Sequence, residues 1–245
     1  MTDGDTAGAC VVVGAGDATG GAVAKRFARE GFAAVPVRRK LEHLEALKAE
    51  IEAEGGACVP FGVDARVEAD VVDLFETVER DVGPVEVCVF NIGANARFPF
   101  LELEERKFRK IWEMAAYAGY LTTRQAAIRM AKRGRGTIIV TGASASLKGY
   151  KNGAAFASAK FALRGMTQAM ARELAPMGVH VAHVVIDGAI DTEFIKTMFP
   201  ERYALKGEHG ILNPESIAET YWMLHNQPRD AWTAEIDLRP WIEDY

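Results

Sequence analysis

The chain has 245 residues, of which 49% are hydrophobic and 26% charged, and its formal net charge is −5. This size and balance suit a single α/β domain spanning residues 1–245 better than two smaller domains. Binding to nucleic acid or to an anionic membrane needs clustered Lys and Arg, so the acidic balance argues against both partners.

Residues 1–5 are polar with no apolar run behind them, and the longest apolar stretch, Val179–Ile186, contains two histidines. Neither a signal peptide nor a membrane span is predicted, so the expected location is cytoplasmic. The three cysteines lie in separate strand-like runs without a Cys-x-x-Cys pair: Cys10, Cys58 and Cys88. This pattern predicts buried thiols, with no disulfide and no metal site.

Short apolar runs alternate with longer segments of helical periodicity along the chain. The predicted strands are Ala9–Val13, Ala33–Val37, Ala57–Val63, Val85–Asn91, Thr137–Thr141, Val179–Ile186 and Glu235–Leu238. The predicted helices are Gly20–Glu30, Leu41–Glu54, Val67–Asp81, Glu104–Lys132, Gly153–Met177 and Pro214–Asn226. Continuous Val, Ala and Cys runs are typical of parallel strands buried on both faces. The pattern predicts an α/β fold, a single Rossmann-like doubly wound parallel sheet of about seven strands flanked by helices.

A glycine-rich turn separates the first strand from the first helix. Gly14, Gly16 and Gly20 leave the backbone bare there, with Ala18 between them. Because free N–H groups at a helix N-terminus attract phosphate, the turn predicts a diphosphate site. A tight turn without a ligand is the alternative interpretation, and Asp17 places a negative charge inside the turn.

Polar residues also follow the later strands, where a doubly wound sheet binds its ligands. Asp64 closes the third strand and Asn91 and Gly93 close the fourth. A polar side chain at a strand end next to small residues can hold an adenine edge or a ribose, although each of these residues is also a common turn residue. Arg38 and Arg39 follow the second strand, where sites that prefer a free ribose carry an acid. This positive charge favours a 2′-phosphate and hence NADP(H) over NAD(H), with a solvated basic patch as the alternative.

Taken together, these motifs resemble the short-chain dehydrogenase/reductase family over essentially the whole chain, in length, strand order and spacing. The resemblance implies an NAD(P)(H)-dependent oxidoreductase that acts on a carbonyl or an alcohol. The positions that match the family's cofactor-binding segments are Gly14, Ala18, Gly20, Asp64, Asn91, Gly93, Ile190 and Thr192.

The catalytic positions depart from the family. In it, a tyrosine four residues before a lysine exchanges the substrate proton, a serine orients the carbonyl, and an asparagine supports a water relay. The lysine is retained here as Lys160, which would hold the cofactor ribose, but the tyrosine position is Phe156. The serine position is Ala143, with Ser144 beside it, and the asparagine position is Ala115 or Ala116.

Phe156 has no proton to give, and a positioned proton donor contributes roughly 10²–10⁴-fold to a rate. We expect Tyr150 or Ser144 to replace it, because both lie in the loop that faces the cofactor in related folds. The other candidates are Ser146, Tyr117 and Asp187. Each of these residues could instead satisfy its own backbone, and Lys160 could place its stem on apolar surface with its head in solvent.

The resemblance leaves three functions open. The first is an NADP(H)-dependent oxidoreductase with an atypical proton relay. The second is a catalytically silent NADP(H)-binding sensor or regulator, and the third is a non-redox lyase or isomerase on the same scaffold.

Substrate and assembly are less constrained. Apolar and aromatic residues within 193–213, with Phe98, Phe100 and Tyr117, predict a small apolar or aromatic substrate, and an ordinary mobile loop is the alternative. In the resembling family the helix at Gly153–Met177 and the long helix before it form subunit interfaces, so a homodimer or homotetramer is expected.

Overall fold

A computed structural model of the chain describes residues 7–243. Residues 1–6, which include the polar start used in the sequence analysis, and residues 244–245 lie outside the described residues. The described chain contains one seven-stranded sheet in the order β3-β2-β1-β4-β5-β6-β7, and every pair of neighbours is parallel. The strands are β1 Ala9–Val13, β2 Ala33–Arg38, β3 Phe61–Gly62, β4 Val85–Phe90, β5 Gly136–Thr141, β6 Val179–Ile186 and β7 Glu235–Leu238.

Helices cover both faces of the sheet. They are α1 Thr19–Arg29, α2 Glu45–Ala53, α3 Glu68–Asp81, α4 Glu105–Trp112, α5 Ala118–Arg133, α6 Ala154–Leu174, α7 Glu193–Met198, α8 Pro200–Ala204 and α9 Pro214–His225. Buried residues of α1, α2 and α9 form one core with the sheet, and those of α3, α5 and α6 form the other. The predicted doubly wound parallel sheet is confirmed.

The chain winds from β1 outwards to β3 and then returns beside β1 as β4, so the strand order reverses between β1 and β4. A crevice opens at the carboxyl ends of the strands at such a point. The glycine turn after β1 lies there, and Gly14 has a φ of +92° that side chains rarely adopt. The fold therefore places the predicted diphosphate site at the reversal.

Three element predictions need correction. The third strand shrinks to Phe61–Gly62 because Pro60 lacks the N–H that a longer ladder needs, and a single bridge at Cys58 precedes it. The long helix predicted over Glu104–Lys132 is interrupted by a π-helical turn, Glu113–Tyr117. The segment 193–213, to which the sequence analysis assigned no helix or strand, contains α7 and α8.

The cysteines lie where the sequence predicted. All three thiols are free and buried, and burial raises the pKa of Cys58 to about 11 and that of Cys88 to about 12. Within residues 7–243, every helix is too short or too polar to cross a membrane.

Gly20 provides a test of the glycine turn. A Cβ there would lie 2.4 Å from the Gly14 carbonyl oxygen and 2.7 Å from the Cα of Ala15, and backbone cannot turn aside as a side chain can. We expect Gly20→Ala to lower the free energy of unfolding by about 1–3 kcal/mol, measured by urea denaturation.

Gly165 is the matched control, because it is exposed in α6 and a Cβ placed on it would have no neighbour within 4 Å. Gly165→Ala should raise the free energy of unfolding by about 0.5–1 kcal/mol. Equal effects of the two substitutions would show that the turn tolerates a side chain.

Candidate functional site

Lys160 lies on α6 with its side chain directed into the protein. The residue is 2% exposed, and its Nζ donates hydrogen bonds to the carbonyl oxygens of Thr141, at 2.8 Å, and Ile92, at 3.4 Å. The Thr141 carbonyl lies at the end of β5, and the Ile92 carbonyl lies two residues beyond the end of β4. The head of Lys160 is therefore not in solvent, and burial lowers its pKa from 10.5 to about 8.

Phe156 precedes Lys160 by about one helical turn. Its ring is buried, and the Nζ of Lys160 lies 5.8 Å from the ring centroid, within reach of a cation–π contact. The ring packs in an apolar cluster with Ile111, Ala145 and Ala155. On this side, the neighbour of the ammonium is the hydrocarbon face of the Phe156 ring.

Both residues line a cavity of about 550 Å³, here called the lysine cavity, at the carboxyl ends of β1, β4, β5 and β6. It brings together most of the residues that the sequence singled out: Gly14, Gly16, Ala18, Gly20, Asn91, Gly93, Ser144, Tyr150, Phe156, Lys160 and Ile190.

A second cavity, of about 280 Å³ and here called the adenosine cavity, adjoins the first along Gly14, Gly16, Asn91 and Gly93. Its other lining residues include Arg38, Arg39 and Asp64. Among the predicted residues Thr192 stands apart, because it lines a neighbouring cavity and its Oγ1 accepts the N–H of Ile195 as the cap of α7. The two adjoining cavities form one cleft that suits an elongated ligand.

The middle of the cleft fits a diphosphate. Nothing lies within 4 Å of a Cβ placed on Gly16, so the backbone there is open to a ligand. Helix α1 begins without a side-chain cap and without an acidic residue in its first turn. The Thr19 hydroxyl is buried in the lysine cavity without a hydrogen-bond partner among residues 7–243. These free donors at a helix N-terminus are what a phosphate requires.

The adenosine cavity carries an excess of positive charge. Asp64 accepts a 2.9 Å hydrogen bond from Nε of Arg66, whose guanidinium holds the pKa of that carboxyl below its usual range. Arg38 is half-buried with Nη1 3.4 Å from Oδ1 of Asp17. Arg39 is exposed and makes no hydrogen bond or ion pair through its side chain with any residue from 7 to 243. Arg39 is thus free to meet an anion.

The predicted proton donors differ in position. The Tyr150 hydroxyl lies in the lysine cavity and donates to Oδ1 of Asn95 at 3.2 Å, and burial raises the pKa of this tyrosine. Ser144 also lines the cavity. Ser146 lies behind it, fully buried, and accepts a hydrogen bond from the Ala143 N–H.

The two remaining candidates are placed less well. Tyr117 lies in the π-helical turn and does not line the lysine cavity. Asp187 lines it but has a carboxylate oxygen 3.6 Å from Nη2 of Arg239.

Comparison with known proteins agrees with this architecture. The family model described as short chain dehydrogenase matches residues 9–202. The chain belongs to the short-chain dehydrogenase family. The resemblance read from the sequence is confirmed, and the family is one of oxidoreductases that bind nicotinamide dinucleotides.

Three relatives illustrate the similarity. A crystal structure of a short-chain dehydrogenase from Rhodopseudomonas palustris is 44% identical, with a TM-score of 0.82 and coverage of 95% of this chain and 99% of that one. A metagenomic short-chain oxidoreductase in complex with NADP is 25% identical, with a TM-score of 0.82 and coverage of 96% and 98%. The 3-oxoacyl-(acyl-carrier-protein) reductase MabA of Mycobacterium avium is 36% identical over 140 residues, which cover 56% of this chain and 54% of the relative.

Two features of this short-chain dehydrogenase were not found from the sequence. The π-helical turn brings Ala115 and Ala116 against Ala159, next to Lys160, and nothing in the local pattern marks such a turn. The second is His183, buried behind Gly142, whose Nδ1 donates to Oε2 of Glu235 at 2.9 Å. Burial lowers the pKa of His183 to about 4, although the neighbouring Glu235 carboxylate acts in the opposite direction. The ring is therefore neutral at physiological pH.

The aromatic residues predicted to contact substrate lie elsewhere. Phe98 lines a separate groove, Phe100 is 75% exposed, and Phe194 is 61% exposed beside Phe199. None of these four rings lines the lysine cavity. These four rings therefore do not contribute to the cavity, whose apolar lining comes from other residues, among them Phe156, Ile186 and Ile190.

The pKa of Lys160 gives a pH-dependent stability. Between pH 8 and 10.5 the unfolded chain keeps the proton on this lysine while the folded chain has released it, so the lysine makes unfolding less favourable as pH rises. We expect the free energy of unfolding of the unaltered protein, minus that of Lys160→Met, to become more positive across this window. The measurement is urea denaturation without cofactor.

The buried thiols titrate in the opposite sense, but they are common to both proteins and cancel in the difference. Parallel curves for the two proteins would mean that Lys160 keeps an ordinary pKa in the folded state.

Proposed function

We propose that this short-chain dehydrogenase is an NADP(H)-dependent oxidoreductase that interconverts a carbonyl compound and an alcohol with an atypical proton relay. The observation that carries the proposal is the buried ammonium of Lys160 in a cavity that adjoins a glycine-lined phosphate cradle. Within an oxidoreductase family, this combination places a positive charge beside the space for a reacting group.

Different residues of the cleft would bind different parts of the dinucleotide. The open backbone at Gly16 and the N-terminus of α1 would hold the diphosphate, with the Thr19 hydroxyl as an additional donor. Arg39 would bind a 2′-phosphate, since it lines the adenosine cavity and its N–H groups make no hydrogen bond or ion pair with a carboxylate among residues 7–243. Lys160 would hold the ribose next to the reacting end. When bound, the nicotinamide ring supplies or accepts the hydride.

The protein's own part in the reaction is electrostatic and proton-transferring. A lysine with a pKa of about 8 is still mostly charged at neutral pH, and in a buried site its charge stabilises a developing alkoxide more strongly than it would in water. Phe156 cannot deliver the proton. Tyr150 and Ser144, the two predicted donors that line the same cavity, are the residues to which we assign this role.

The relatives favour a carbonyl substrate. One of them is named a 3-oxoacyl-(acyl-carrier-protein) reductase, an enzyme of carbonyl reduction. A homodimer or homotetramer and a cytoplasmic location remain predictions.

The cofactor preference is tested by thermal-shift titration with NAD, NADH, NADP and NADPH, because a ligand that binds only the folded state raises its stability. We expect NADPH and NADP to give the larger shifts. Arg39→Gln should weaken NADPH binding roughly 10–100-fold, the value of a charged hydrogen bond, and leave NADH binding unchanged.

Lys40→Gln is the matched control, since Lys40 is the next residue along and lines neither part of the cleft. If none of the four nucleotides shifts the unfolding temperature, the proposed function is wrong.

The proton relay is tested by turnover. We expect Tyr150→Phe or Ser144→Ala to lower kcat by roughly 10²–10⁴-fold with little change in NADPH binding, and Phe156→Tyr to raise kcat. The readout is nicotinamide absorbance with a broad panel of carbonyls and alcohols, and Tyr120→Phe, on an exposed tyrosine outside the cavity, is the control.

Tight NADPH binding without turnover of any compound, in the unaltered protein and in Phe156→Tyr alike, would contradict an oxidoreductase. It would favour a silent binding protein.

A further inference from the structure

The charged side chains of the lysine cavity are unevenly partnered. Six of them line it, and three are acids. Each acid is bound by an arginine, in the pairs Asp17 with Arg38, Asp187 with Arg239, and Glu243 with Arg202. The negative charge of the cavity wall is therefore already compensated by the protein.

The basic residues of the same wall are not compensated in this way. Lys160 is bound by two backbone carbonyls. Arg97 and Lys148 are exposed, and neither forms an ion pair or a side-chain hydrogen bond with any residue from 7 to 243. The guanidinium of Arg97 instead lies 5.2 Å from the centroid of the Tyr150 ring. The described wall thus carries three cations without an acidic partner, of which Lys160 is buried and Arg97 and Lys148 are exposed.

These cations occupy loops that are tied to each other. Arg97 follows β4 and Lys148 follows β5, and the Phe98 N–H donates to the Asn152 carbonyl at 2.9 Å between the two loops. A second bond joins the Tyr150 hydroxyl to Asn95 at 3.2 Å. The loops therefore hold the backbones of Arg97 and Lys148 on one rim, so these loops need little ordering when a ligand binds.

A 2′-phosphate of the cofactor does not account for this rim. Neither Arg97 nor Lys148 lines the adenosine cavity, where Arg38 and Arg39 lie. Within the lysine cavity both lie in the loops after β4 and β5, the second of which also carries Ser144 and Tyr150, whereas the diphosphate cradle lies in the turn after β1. Their charge is available to the second ligand of the reaction.

We propose, on the basis of the function proposed above, that the substrate carries an anionic oxygen group, a carboxylate or a phosphate, and that Arg97 and Lys148 bind it. Arginine binds such a group through two parallel N–H donors, and lysine adds a point charge. This assignment replaces the apolar or aromatic substrate predicted from the sequence.

The test compares matched probes on the full chain saturated with NADP. Linear keto acids of increasing length are compared with their methyl esters, and dihydroxyacetone phosphate with dihydroxyacetone. Binding is measured by calorimetry and, with NADPH, the KM is measured by absorbance. We expect at least one anionic probe to bind roughly tenfold or more tightly than its neutral partner, and less so as salt is added. If the keto acids show the larger preference over their neutral partners, the group is a carboxylate; if dihydroxyacetone phosphate does, it is a phosphate.

Substitutions then locate the site. Arg97→Gln and Lys148→Gln should each lower the preference for the anionic probe roughly 3–10-fold while the NADPH thermal shift persists. Lys151→Gln is the control, because Lys151 is exposed in the same loop and does not line the cavity.

Three results would overturn this inference and leave the oxidoreductase proposal standing: equal binding of charged and neutral probes, no binding of any anionic probe, or an undiminished preference in both variants. Loss of NADPH binding by the unaltered protein is the separate result that would remove the proposed function itself.

Discussion

Burying the ammonium of Lys160 constrains the surrounding structure, because a charge taken out of water costs several kcal/mol unless hydrogen bonds replace its hydration. The replacement comes from the carbonyls of Thr141 and Ile92, which lie at and just beyond the ends of neighbouring parallel strands. Helix α6 must therefore cross the sheet at these strand ends. The small residues of the π-helical turn, Ala115 and Ala116, permit that approach by packing against Ala159.

The same crossing organises the cleft. The reversal of strand order between β1 and β4 opens the crevice, and the glycine turn lies in its middle. The turn needs glycine because a Cβ at Gly14 or Gly20 would collide with backbone atoms. Lys160 closes the end beyond the turn, and Arg39 lies at the other end. One elongated ligand can contact both residues, so the arrangement supports dinucleotide binding independently of any single motif.

In the wall of the lysine cavity, the acidic residues are paired with arginines and the exposed basic residues are not. The acids around the lysine cavity are bound by arginines from β2, from α8 and from the segment after β7, so their charge does not repel an incoming anion. The exposed cations Arg97 and Lys148 have no such partner among residues 7–243. Because one fold supports many activities, a substrate preference has to be argued from local charges such as these rather than from the fold.

The sequence by itself determined the doubly wound sheet and most of the cleft residues. Apolar runs buried on both faces leave few alternatives to parallel strands, and strand ends must meet at one edge of the sheet. The pairing of Lys160 with Phe156 followed from helical spacing alone.

Only the tertiary structure decided which partners the charged residues have. Asp17 and Arg38 are far apart in sequence, as are Glu243 and Arg202, and no local pattern links them. The π-helical turn and the placement of Phe98 and Phe100 outside the lysine cavity were equally hidden. Such features depend on how elements pack against each other, which composition and periodicity do not encode.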